Sequence, residues 1–101
     1  MNALAVLIIE DEESDCDLYK LILKQINKYS FDLEFAGDIA QATNILEKSN
    51  KDIILLDNNL PDGSGLDFLQ VLQKELLSKK TAVILLTSQG NEETAVEALK
   101  Y

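Results

Sequence analysis

Three stretches of the chain are apolar at every position: Ala5-Val6-Leu7-Ile8-Ile9, Ile53-Ile54-Leu55-Leu56 and Ala82-Val83-Ile84-Leu85-Leu86. Runs this short, with β-branched content, fit strands buried on both faces, as in a parallel sheet covered by helices. A fourth stretch, Asp32-Leu33-Glu34-Phe35, alternates polar with apolar residues, so one face meets water and the strand belongs at a sheet edge.

The intervening segments carry helical periodicity. The first helix is expected after Ser14, whose hydroxyl caps it with Asp17 three residues on, and it places Leu18, Leu21, Ile22, Ile26 and Tyr29 on one inward stripe. The second begins at Asp38 with Gln41 in the capping-box position and buries Ile39, Ala42, Ile45 and Leu46. The third runs from about Ser64 to Leu77, with Leu66, Leu69, Leu72 and Leu76 inward, and a fourth starts after Asn91 and persists to Ala98-Leu99. The order β-α-β-α-β-α-β-α with short connections predicts right-handed crossovers and an α/β fold with a doubly wound parallel sheet. With the second strand at an edge, the strand order is flavodoxin-like, 2-1-3-4. The fourth strand is as apolar as an interior one. Unless another strand covers it, it is an exposed edge and a route to a dimer.

The chain of 101 residues has room for one domain. Its net charge is −9, with 18 acidic residues against nine cations, all of them Lys, and it contains no His. That balance argues against direct nucleic-acid contact and against an anionic membrane surface. Without His, neither a Ser-His-Asp triad nor a typical zinc hydrolase can be built, and a metal must be held by oxygen. Cys16 is the single cysteine, so no internal disulfide forms; its acidic neighbours Asp15 and Asp17 argue against a redox role. The run Ala3 to Ile9 is too short for a signal peptide or a membrane span, and the chain reads as cytoplasmic.

In a doubly wound sheet, ligands bind beyond the carboxyl ends of the strands, at the switch point between the first and third. The first strand exits into Glu10-Asp11-Glu12-Glu13, the third into Asp57-Asn58-Asn59 and the fourth into Thr87-Ser88-Gln89-Gly90. Glu10, Asp11 and Asp57 should therefore converge. Two unit charges ~4 Å apart repel by about 4 kcal/mol at an effective dielectric near 20, so either a shared proton or a divalent cation must offset them. Mg²⁺ suits such a set of hard oxygens. Taken alone, the run from Glu10 to Asp17 is better explained as a solvated acidic loop before a helix, where the dipole favours negative charge. The second acidic exit, Asp57, shifts that balance. A neutralised Asp57 carboxylate can attack phosphorus; Thr87 can donate its hydroxyl to a phosphoryl oxygen, and small Ser88 leaves room for the group. Leu60-Pro61-Asp62-Gly63-Ser64-Gly65 reads as a rigid turn entering a helix, and no Gly-Lys-Ser/Thr follows to make it a P-loop.

Three segments together, Val6 to Glu12, Asp52 to Leu66 and Val83 to Ser88, resemble the receiver domain of two-component response regulators, the CheY-like family, and the resemblance extends along residues 1–101. It implies a phosphoacceptor signalling module in which Asp57 takes a phosphoryl group from a histidine kinase or a His-containing phosphotransfer protein. It further implies that Asp11 and Asp57 ligate Mg²⁺ directly, Glu10 through water, and Asn59 through its backbone carbonyl. Thr87 would move toward the phosphoryl group and shift the domain between two states that a partner reads. Such a module is not an enzyme beyond adding and removing its own phosphoryl group. The family pattern continues with a Gly, a fifth strand carrying a Lys and a fifth helix; these have no counterpart here, so the domain is expected to be incomplete at its C-terminal side. Two alternatives are a Mg²⁺-dependent phosphohydrolase, although Asn59 stands where its second carboxylate would be needed, and a receiver-like module that binds partners without phosphorylation.

Overall fold

The computed structural model describes residues 3–75, 80–88 and 94–100, with side chains described as far as residue 86. Four parallel strands, β1 (Ala3–Ile9), β2 (Ser30–Ala36), β3 (Ile53–Asp57) and β6 (Ala82–Ser88), pair in the order β2-β1-β3-β6. This is the sheet expected from the apolar runs. The helices are α1 (Glu13–Lys24), α2 (Ile39–Lys48) and α3 (Gly65–Glu75). Two short strands, β4 (Asn59–Leu60) and β5 (Gly63–Ser64), form a small antiparallel hairpin around Pro61-Asp62 between β3 and α3.

Side chains alternate across the sheet. Leu7, Ile9, Ala36, Ile54, Leu56, Val83 and Leu85 point to one face and form a closed core with Ala42 of α2 and Phe68, Leu69 and Leu72 of α3. On the other face, where α1 lies with Lys20 over the Phe35 ring at 5.3 Å, Val6 and Ile8 are fully buried. Ile53, Leu55, Ile84 and Leu86 are only partly so. Helices on both faces make the sheet doubly wound.

Several local expectations are corrected. The segment expected as a fourth helix is a strand, β7 (Thr94–Lys100), paired antiparallel with β6 from Ser88↔Thr94 to Ala82↔Lys100. The ladder satisfies the N–H and C=O groups along the outer edge of β6, and that outweighs helix preferences worth only a few tenths of a kcal/mol per residue. The same pairing covers the edge through which a dimer was expected, so that route is closed. α1 starts before Ser14: Glu12 is its N-cap residue, with no side-chain cap, and Ser14 lies inside the first turn. The stripe on and just beyond α1 is not inward. Leu18, Leu21, Ile22, Ile26 and Tyr29 are all about half exposed, because amphipathic spacing fixes which residues share a face, not whether anything covers it. In α3, Leu66 is exposed and Phe68 takes the buried place; Leu76 lies outside the described residues.

Candidate functional site

The parallel register sets the site. Pairing of Ile9 with Leu56 ends β1 and β3 level with each other, so Glu10, Asp11 and Asp57 leave the sheet side by side. One carboxylate oxygen from each lies within 4.8 Å of the other two, and no other such group of metal-ligating side chains occurs among the described residues. Glu10 is buried at 4% exposure, Asp57 half-buried and Asp11 exposed. The cluster therefore opens to solvent on the Asp11 side and is closed on the Glu10 side.

Glu10 and Asp57 are each held by the turn that follows them. The Glu10 backbone N–H donates to the Ala36 carbonyl of β2 at 2.9 Å, and its Oε2 accepts the Glu12 N–H at 3.1 Å. The Cys16 thiol lies 3.6 Å from the Glu10 carbonyl, so this cysteine packs beneath the loop. Burial is the main reason that the Glu10 carboxyl is pushed up to about 7; the Glu12 N–H opposes it, and the charges of Asp57 and Asp15 add to it. Asp57 is also raised, first by burial and then by the charge of Asp11, against backbone N–H groups of Asn59 and Asn58 that favour its ionised form. Burial pushes the Tyr19 phenol up to about 12, with Glu10, Asp15 and Asp57 contributing. The described ion pair, Lys51 to Glu34, lies at the opposite end of the sheet. The cluster thus holds negative charge in a half-buried setting with hard oxygen donors only, which is the donor set a small divalent cation takes.

The remaining expected residues are placed as follows. Asn59 begins β4, directly after the site strand, and its side chain is exposed. The backbones of Thr87 and Ser88 end β6, the neighbour of β3, where the Asn58 N–H donates to the Leu86 carbonyl at 3.1 Å; their side chains lie outside those described. Gly65 is needed where the chain returns past β3: a Cβ there would overlap the Asp57 carbonyl oxygen and come within 2.9 Å of Asn58 Cα. Sequence reasoning missed Asp15 and Tyr19 as neighbours of the site. Their i,i+4 spacing after an acidic loop is the signal that could have found them.

Comparison with known proteins agrees with this geometry. Residues 6–101 match the response regulator receiver domain family, and the chain belongs to that family. It is a receiver domain of the kind found in two-component response regulators. The phosphate regulon transcriptional regulatory protein PhoB of Klebsiella pneumoniae is 36% identical over 95 residues, 94% of this chain but 40% of that protein. The chain thus spans less than half the length of this relative. Among solved structures, the MaeR response regulator bound to beryllium trifluoride superposes with a TM-score of 0.75 at 28% identity, covering 87% of this chain and 70% of that one. The Mn²⁺-bound form of the response regulator Rcp1 does so with a TM-score of 0.75 at 27% identity, covering 88% and 68%. None of the described helices is long and apolar enough to cross a membrane.

Proposed function

We propose that this receiver domain accepts a phosphoryl group on Asp57 from a phosphohistidine of a histidine kinase or His-containing phosphotransfer protein, and that the modified state alters partner binding in the cytoplasm. The observation that carries this reading is the convergence of Glu10, Asp11 and Asp57 within 4.8 Å, with Asp57 raised by burial at the end of a rigid strand. A carboxylate oxygen of Asp57 attacks phosphorus, the P–N bond to the donor imidazole breaks, and the imidazole nitrogen keeps the electron pair and takes a proton. Asp11 and Asp57 would hold Mg²⁺ directly, the Asn59 carbonyl would add an oxygen, and Glu10 would act through water. When bound, Mg²⁺ offsets the carboxylate charge and that of the incoming phosphoryl oxygens. The Thr87 hydroxyl donates to a phosphoryl oxygen and the small Ser88 leaves it space. The bound divalent cation in Rcp1 and the beryllium trifluoride in MaeR support the same assignment.

The domain adds and removes its own phosphoryl group and is otherwise a signalling module, not an enzyme. PhoB is named a transcriptional regulator, and this chain matches less than half of it, so the absence of direct nucleic-acid contact is proposed for this segment alone. The test is incubation with Mg²⁺ and acetyl phosphate, followed by mass spectrometry. One added phosphoryl group, lost in Asp57→Ala and without Mg²⁺, is expected; labelling that persists in Asp57→Ala overturns the assignment, and release of many phosphates per chain would make it a phosphohydrolase.

A further inference from the structure

The β4–β5 hairpin does more than turn the chain from β3 into α3. At its tip, Asp62 accepts two backbone N–H groups from the first turn of α2: Oδ1 from Ile39 at 2.9 Å and Oδ2 from Ala40 at 3.1 Å, across 23 and 22 residues of sequence. α2 is already capped by its own residues. Asp38 Oδ1 accepts the Gln41 N–H at 2.8 Å, and Gln41 Oε1 accepts the Gly37 N–H at 2.9 Å. The second carboxylate therefore serves to join two elements, beyond finishing a helix end. The Ile39 and then the Ala40 N–H hold the Asp62 carboxyl below the usual carboxylate range, so the tie is made by the ionised form.

The hairpin is seated as well as tied. A Cβ at Gly63 would come within 2.9 Å of Ile39 Cδ1, so β5 lies directly on the start of α2. At its other end the loop is closed onto the site strand: the Gly65 N–H donates to the Asn58 carbonyl at 2.8 Å, the Leu66 N–H to Asn58 Oδ1 at 3.2 Å, and Gly65 packs against the Asp57 carbonyl. Residues 58–65 thus form a strut between α2 and the residue next to the phosphoacceptor. Asn59, whose N–H supports the Asp57 carboxylate, lies in that strut and pairs with Ser64.

We infer that Asp62 is a positioning residue for the acidic site: by fixing the hairpin tip to α2, it holds Asn59 in place beside Asp57. Asp62 touches no reacting group itself, and its effect passes through the backbone of 59–64.

The test compares Asp62→Ala, Asp62→Asn and Asp38→Ala in the full chain. Asp38→Ala removes the helix's own cap and leaves the hairpin tie, so it controls for any loss of α2 stability. Amide exchange at Asn59 and Ser64, followed by NMR without metal, should accelerate by about tenfold in Asp62→Ala, less in Asp62→Asn, and not at all in Asp38→Ala. Mg²⁺ affinity should weaken by roughly three- to tenfold in Asp62→Ala and stay unchanged in Asp38→Ala. Unaltered exchange at Asn59 and Ser64 in Asp62→Ala, or equal acceleration in Asp38→Ala, overturns the inference. The metal readout rests on the phosphoacceptor reading; a wild-type chain without Mg²⁺ affinity would sink that reading, and the metal-free exchange data would still decide the role of Asp62.

Discussion

The two ends of β3 carry an aspartate each, and the fold treats them in opposite ways. At the amino end, Asp52 is fully engaged: its Oδ2 accepts the Ala5 N–H at 2.8 Å, its own N–H donates back to the Ala5 carbonyl at 2.8 Å, and its carbonyl accepts the Ala82 N–H at 3.0 Å. Around it, the buried Thr81 hydroxyl donates to the Lys51 carbonyl at 2.7 Å, and Lys51 pairs with Glu34 at 2.7 Å. At the carboxyl end, Asp57 faces Glu10 and Asp11, both it and Glu10 are raised, and the opposing contribution comes from backbone N–H groups. One end uses its side chain and backbone together to hold three strands in register. The other holds like charges together in a half-buried setting, at a cost to stability.

The sharpest way to break this contrast is Asp57→Asn. It should abolish phosphoryl acceptance completely, read by mass spectrometry with acetyl phosphate, while raising the urea midpoint, because a half-buried carboxylate facing like charges becomes neutral. Next comes pH. Glu10 binds its proton more tightly in the folded state, about 7 against an ordinary 4.5, so its contribution to stability is fully present below about pH 4.5 and is lost as pH rises through about 7. Urea melts between about pH 5 and pH 8 should show the metal-free chain losing stability, with Glu10→Gln flattening the curve and Mg²⁺ opposing the loss at the high end. At the other end of the strand, Asp52→Ala should lower stability by about 1–2 kcal/mol in urea melts and leave the rate of phosphorylation unchanged, since it frees the Ala5 N–H far from the site. The smallest effect belongs to Glu34→Ala, about 0.5–1 kcal/mol, because Glu34 is 49% exposed while the Lys51 side chain it leaves unpaired is only 9% exposed. An Asp52→Ala chain that failed to accept phosphate while still folded would erase the division between the two ends.

Much of this was legible in the residues. Strands buried on both faces announce themselves as unbroken apolar runs, and acidic residues directly after two of them can meet only if those strands are neighbours, which the 2-1-3-4 order makes them. The N-cap at Asp38 was equally plain, although the Gln41 amide oxygen reaches back to the Gly37 N–H and not to that of Asp38. What escaped depends on partners that periodicity does not record. The α1 stripe of Leu18, Leu21 and Ile22 has helical spacing whether or not anything lies against it. Residues 94–100 combine good helix formers with a position opposite an open strand edge, and the edge decided. The tie from Asp62 to α2 joins segments more than twenty residues apart, and nothing local marks it.

The placement of β1 bears on how the chain comes together during synthesis. Val6, Leu7, Ile8 and Ile9 are made before the strands that flank them and end wholly enclosed, with β2 on one side and β3 on the other. A nascent chain leaving the ribosome must therefore keep its most apolar segment waiting until residues near 57 have emerged, a long-range closure of the kind that slows folding. The closing step that shelters β1 is also the one that delivers Asp57 to Glu10 and Asp11, so no compact intermediate lacking β3 can carry the acidic site.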